Sequence, residues 1–188
     1  QVAGIHLNML PVAPHPSERS DLTEAETEFL READIFLKED SGYQWIQGTR
    51  PQTLSYALND SPAGLAAWIV EKFYAWTDCH GDLESRISKD ALLTNIMIYW
   101  NTQTINSSFW LYYQMRHNPW RLSRGDRIKV PVAMAAFPGE IMRPPKEWVQ
   151  RICNLQRWTQ MPSGGHFAAL EEPERLVEDI RAFYRDLR

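Results

Sequence analysis

Apolar positions along the chain change their spacing more than once. Val2 to Leu10 is a short, mostly apolar run entered through Gly4 and closed by Pro11, the pattern of a buried strand. A proline-rich loop with His15 follows. Thr23 and Glu26 then form a capping box that opens a helix, with Phe29, Leu30, Ala33, Phe36 and Leu37 along one stripe. Gly42-Tyr43 is expected to break that helix, and Pro51 to Ala57 to form a short helical turn. Ser61-Pro62 supplies an N-cap and first-turn proline for a helix that shows Leu65, Trp68, Ile69, Phe73 and Trp76 on one face. Ser88 caps another, with Leu92, Leu93, Ile96, Met97 and Trp100 on its apolar side.

From Arg127 the pattern alternates. Ile128 to Phe137 is a compact apolar run ending in Pro138-Gly139, which reads as a buried strand, with Pro131 better suited to its first residue than its middle. Pro144-Pro145 leads into a helix bearing Trp148, Val149 and Ile152. Leu155 to Met161 is a weaker strand, ended by Pro162-Ser163-Gly164-Gly165. Pro173 opens a last helix with Leu176, Val177, Ile180, Phe183, Tyr184 and Leu187 at helical spacing. Strand–helix–strand–helix predicts an α/β chain with a parallel sheet. Residues 20–126 read as a helical insertion, between core segments at 1–19 and 127–188. Three strands leave a sheet edge unpaired. Either the helices form their own bundle, or more strands precede Gln1.

Composition narrows the class. The 188 residues fit one domain, and 44% apolar with 23% charged residues is globular rather than disordered. Twenty Lys and Arg against 24 Asp and Glu give a net charge of −4 with no basic block, so neither nucleic acid nor an anionic membrane is an expected partner. Eight Trp within 12% aromatics point to a large apolar cavity or a dense core. Cys79 and Cys153 lie 74 residues apart and form no CxxC pair, so reduced, non-catalytic thiols are expected. No run reaches the ~20 apolar residues of a membrane span. A chain beginning at Gln1 looks cut from a longer parent. A cytoplasmic location is the default, and a membrane anchor in the parent stays open.

Candidate chemistry gathers at two loops. His166, in Ser163-Gly164-Gly165-His166-Phe167, follows a predicted strand, where active sites of open α/β sheets lie. Glu140, in Phe137-Pro138-Gly139-Glu140, holds the matching place after the strand before. A carboxylate there can orient an imidazole that works as a base. In the α/β-hydrolase order, nucleophile then acid then His, the last two are present. No G-x-S-x-G elbow, HExxH, P-loop or GxGxxG occurs, and His6 and His15 lack partners at metal spacing. No metal or cofactor is expected.

Gly4-Ile5-His6-Leu7-Asn8-Met9, Ser41-Gly42-Tyr43, Thr49-Arg50-Pro51, the run Ala57-Leu58-Asn59-Asp60-Ser61-Pro62-Ala63-Gly64-Leu65, and Glu71-Lys72-Phe73 resemble the microsomal-type epoxide hydrolases. So do Leu93-Thr94-Asn95, Phe137-Pro138-Gly139-Glu140 and Gly164-Gly165-His166-Phe167. The resemblance covers essentially the whole chain. It implies an α/β-hydrolase fold, present in part as its C-terminal strands and helices with a helical lid.

It also implies a two-step hydrolysis. An Asp carboxylate opens the epoxide to an ester while two lid tyrosines donate to the oxygen, and a His then activates water. Tyr43 matches the first tyrosine; Tyr112 fits the second, with Tyr113 the alternative. Glu140 matches the acid and His166 the base, with Trp45, Trp76, Phe109 and Phe167 expected around an apolar substrate. The nucleophile is not in these residues, so the chain is expected to be inactive without the N-terminal half of the enzyme. An apolar epoxide is the expected ligand, and a homodimer stays open. Rival expectations are a haloalkane dehalogenase or esterase, for which Trp45, Trp76 and Trp110 offer indole donors, and a non-catalytic pocket protein.

Overall fold

A computed structural model describes residues 2–185 and Leu187. In chain order the strands are β1 (Ile5–Leu7), β2 (Ile128–Ala136) and β3 (Cys153–Gln160). The first helices are α1 (Glu24–Glu39), α2 (Gly42–Thr49), α3 (Pro51–Asp60) and α4 (Pro62–Trp76). They are followed by α5 (Lys89–Thr102), α6 (Ile105–His117), α7 (Lys146–Ile152), α8 (Ala168–Glu171) and α9 (Pro173–Arg185). The chain divides into two compact units. A sheet unit holds the residues up to Asp34, Trp76–Asp78 and those from Arg121 onward; a helical unit holds Ile35–Ala75 and Cys79–Trp120.

In the sheet unit the three strands are parallel, in the order β1-β2-β3. The central strand is the most buried, with Val132, Ala133 and Ala135 at 0% exposure, as an apolar run covered on both faces should be. Val132, Leu10, Leu122, Val149, Ile152 and Cys153 form one core cluster. Pro131 falls within β2 rather than at its start. The ladder absorbs it by a register shift: Ile128 lies opposite Cys153 but Pro131 opposite Asn154. A bulge there suits a residue with no N–H to donate. The expected strand at Val2–Leu10 shortens to Ile5–Leu7.

The capping box forms. Glu26 N–H donates to Thr23 Oγ1 (3.2 Å) and Thr23 N–H to Glu26 Oε2 (2.9 Å). Glu26 is fully buried and pairs with Arg151, whose hydrogen bonds hold its carboxyl below the usual range. Phe29 meets the Trp148 ring edge-on at 5.2 Å. These contacts fix the first half of α1 in the sheet unit. The helical unit therefore covers 35–75 and 79–120, against the 20–126 drawn from periodicity.

The helical unit packs around Leu58, Leu65, Ile96, Ile105 and Phe109. Its helix starts follow their caps: Gly64 N–H donates to Ser61 Oγ (3.0 Å) and Ala91 N–H to Ser88 Oγ (3.2 Å). The helix breaks near Gly42 as expected: α1 ends at Glu39, where the Ser41 hydroxyl bonds the Leu37 carbonyl, and Gly42 begins the separate helix α2. The apolar side of α5 splits, with Leu92 and Ile96 buried but Leu93 50% and Met97 45% exposed. Among the described residues, no helix is long and apolar enough to cross a membrane.

Candidate active site

Two strand-end loops meet in the sheet unit. β2 runs into buried Phe137, and Gly139 then forms a parallel bridge with Gly165, its N–H donating to the Gly164 carbonyl (2.9 Å). Both glycines of the second loop are required. Gly164 has φ +105°, and a Cβ on Gly165 would lie 2.5 Å from the Trp76 carbonyl oxygen. The bridge sets Glu140 and His166 side by side: His166 Nδ1 is 2.7 Å from Glu140 Oε1, with the acid's side chain 1% exposed and the imidazole 23%. Glu140 Oε1 also accepts the Ile141 N–H (2.7 Å). A neutral imidazole that donates from Nδ1 to the carboxylate keeps its lone pair on Nε2, the form of a general base.

Aromatic rings flank this imidazole. Trp76 and Phe167 each lie edge-on to it, with centroids 5.2 Å away. Of the four pocket residues expected from the sequence, these two stand beside His166. Phe109 instead packs into the helical core at 2% exposure, and Trp45 is 53% exposed beneath the Arg116 guanidinium at 4.2 Å. Asp78 Oδ2 accepts the Gly164 N–H (2.9 Å), an anchor of the His loop that sequence reading missed.

Another buried acid lies on the same unit. Asp179 receives Thr159 Oγ1 (2.6 Å), Arg157 Nε (2.7 Å) and His6 Nε2 (2.8 Å). Burial pushes its carboxyl up, but these hydrogen bonds outweigh that and hold it below the usual range. Asp179 thus ties α9 to both β1 and β3. Both cysteines are buried free thiols, and burial pushes the Cys153 thiol up. Among the described residues no cluster of His, Cys, Asp and Glu is arranged to hold a metal.

Within the helical unit, Tyr43 of α2 and Tyr112 of α6 face each other in a T-shaped pair, centroids 5.7 Å apart. Burial raises the pKa of both phenols; neighbouring Asp40 adds to this for Tyr43, and Tyr43 and Tyr99 for Tyr112, while a bond from Gln44 Nε2 to Tyr43 OH (2.8 Å) opposes it. Tyr113 points elsewhere in its stacking, lying on the His117 ring at 4.0 Å.

A parallel sheet with an acid and a histidine on consecutive strand-end loops defines part of an α/β-hydrolase. No protein-family model matches the chain. Curated relatives are more informative. A Stigmatella aurantiaca protein, provisionally named an epoxide hydrolase, is 44% identical over 188 residues, all of this chain and 42% of its own length. "Epoxide hydrolase 1" of Oryctolagus cuniculus is 47% identical over 156 residues, 78% of this chain and 34% of that protein. The crystal structure of the juvenile hormone epoxide hydrolase of Bombyx mori superposes with a TM-score of 0.84 at 28% identity, over 100% of this chain and 50% of that one. The chain is therefore similar along its whole length to epoxide hydrolases of the α/β-hydrolase type. It spans half or less of the length of these relatives.

Proposed function

We propose that this chain supplies the acid, the histidine and the two proton-donating tyrosines of an enzyme that hydrolyses apolar epoxides to vicinal diols. A carboxylate nucleophile from outside these residues attacks one epoxide carbon, and the carbon–oxygen bond breaks. The released alkoxide takes a proton from Tyr43 or Tyr112, leaving a hydroxyalkyl ester. His166 Nε2 then removes a proton from water, and the hydroxide attacks the ester carbonyl. The diol leaves, the carboxylate is restored, the imidazolium releases its proton to water, and the tyrosinate regains one from water. Glu140 holds the imidazole tautomer and stabilises the imidazolium. β1 ends the sheet on one side, an edge on which a strand leading to the nucleophile can pair.

An acid–His pair serves many hydrolases, so it does not select epoxides. The observation that carries this reading is the Tyr43–Tyr112 pair, two phenols within 5.7 Å that stay protonated at neutral pH. A dehalogenase needs donors that stabilise halide; of the three indoles, Trp45 and Trp110 are exposed, which leaves only Trp76 beside His166 for that task. The test is Tyr43→Phe and Tyr112→Phe in the full-length enzyme, with styrene oxide, a chlorinated alkane and a p-nitrophenyl ester as substrates. Each variant is expected to lose about 10²–10³-fold in epoxide opening, the usual cost of one transition-state donor. Tyr113→Phe is expected to turn over normally. Full epoxide turnover in the double variant, or preference for either other substrate, rejects the assignment.

A further inference from the structure

Glu171 is the last residue of α8, 9% exposed, and the partners of its carboxylate are main-chain N–H groups. Oε2 accepts from Asp78 N–H (2.8 Å) and Gly165 N–H (2.9 Å), and Oε1 from Phe167 N–H (3.0 Å). Gly165 and Phe167 are the two neighbours of His166. The N–H of His166 itself donates to the Trp76 carbonyl (2.9 Å). Three consecutive N–H groups are thus committed, two to one carboxylate and one to a carbonyl on the segment which that carboxylate also grips.

We propose that Glu171 is a positioning residue for His166, an inference that rests on His166 being the base of the second step. A buried carboxylate carries a desolvation cost that ordinary packing would avoid. Charge-assisted bonds to N–H groups are about twice as strong as neutral ones and fix direction. Here they fix the Cα of the histidine, and so the reach of Nδ1 to Glu140 and the place of Nε2. Space around Gly165 is consistent with a clamp: a Cβ there would sit 3.2 Å from Glu171 Oε1. An uncharged amide of the same size cannot serve all three donors, because its NH₂ would face an N–H.

Only steps that use His166 should feel the loss. Glu171→Gln in the full-length enzyme is expected to slow hydrolysis of the ester about 100-fold, the cost of a displacement near 1 Å. Formation of the ester, which does not use the imidazole, keeps its rate. Single-turnover kinetics with styrene oxide separates the two steps. Proton NMR reads the low-field Nδ1 proton shared by His166 and Glu140, which is expected to move or broaden in the variant. Glu171→Asp keeps the charge, and its hydrolysis rate is expected between those of wild type and Gln. If the Gln variant does not fold, the Asp variant carries the same two readings.

A lower melting temperature with an unchanged ratio of the two rates and an unchanged Nδ1 resonance overturns the proposal, since that is what a merely structural bond would give. Wild-type enzyme that forms no ester from the epoxide would defeat the functional reading instead. The NMR comparison would still decide the positioning role.

Discussion

In the proposed reaction Tyr43 and Tyr112 act through their protonated phenols. Burial lifts both phenols above the ordinary 10.0, so each holds its proton, and can donate it, throughout the neutral range. Loss of ring opening through tyrosine ionisation is therefore expected only above pH 10, visible in single-turnover rates of ester formation against pH. An alkaline limb near neutrality would assign the donor to another group. Gly165 makes a second test at this scale. Alanine there drives a methyl to 2.5 Å from the Trp76 carbonyl, and the main chain has to move. Overpacking of this kind costs about 1–3 kcal/mol. Gly165→Ala is expected to lower both melting temperature and turnover; a variant with unaltered turnover would show that the loop tolerates displacement. His166 and Glu140 were legible because each follows a strand and a turn signal. Glu171 and Asp78 were not, because their partners are backbone N–H groups that no side-chain motif marks, and the bonds joining Asp78 to Glu171 and to Gly164 span 93 and 86 positions.

Helix starts were the most legible elements, since their signals are local. Thr23 with Glu26, Ser61 and Ser88 all make the side-chain bonds that their types predict. Elements without such signals were missed or misjudged. α6 follows Thr104, whose side chain makes no cap, and its Trp110 and Leu111 are exposed, so no clean apolar stripe marks it. Gly42 marked the break after α1 but not the helix α2 that it opens. α1 also shows how local and distant bonds differ in weight. Thr23→Ala removes a cap and is expected to cost about 1 kcal/mol. Glu26→Ala leaves Arg151 without its buried partner and is expected to cost about 3–5 kcal/mol. Urea denaturation of the two variants measures this, and equal midpoints would contradict the order.

For the whole molecule, fold class was legible in the strand–helix alternation after Arg127, whereas contacts closing the sheet unit were not. His6 and Asp179 are 173 positions apart, yet they join β1 to α9. Asp179 is held below its ordinary 3.8, so its bonds to Thr159, Arg157 and His6 contribute stability above that pH and lose it as pH falls through the lowered value. Asp179→Asn is expected to be less stable at neutral pH and to show a flatter acid limb in denaturation midpoints from pH 6 to about 2. Parallel curves for the two proteins would mean that the cluster does not titrate on unfolding. The chain covers 42% of one curated relative and 34% of another.

The proposed division of labour is open to one direct measurement. With His166→Gln in the full-length enzyme, ester formation proceeds and water is no longer activated. Intact-mass spectrometry after mixing with styrene oxide is expected to show the variant heavier by one epoxide and persistently so, while wild type returns to its starting mass. A variant that gains no mass, or that sheds the adduct as fast as wild type, would contradict the role of His166 as the base of the second step.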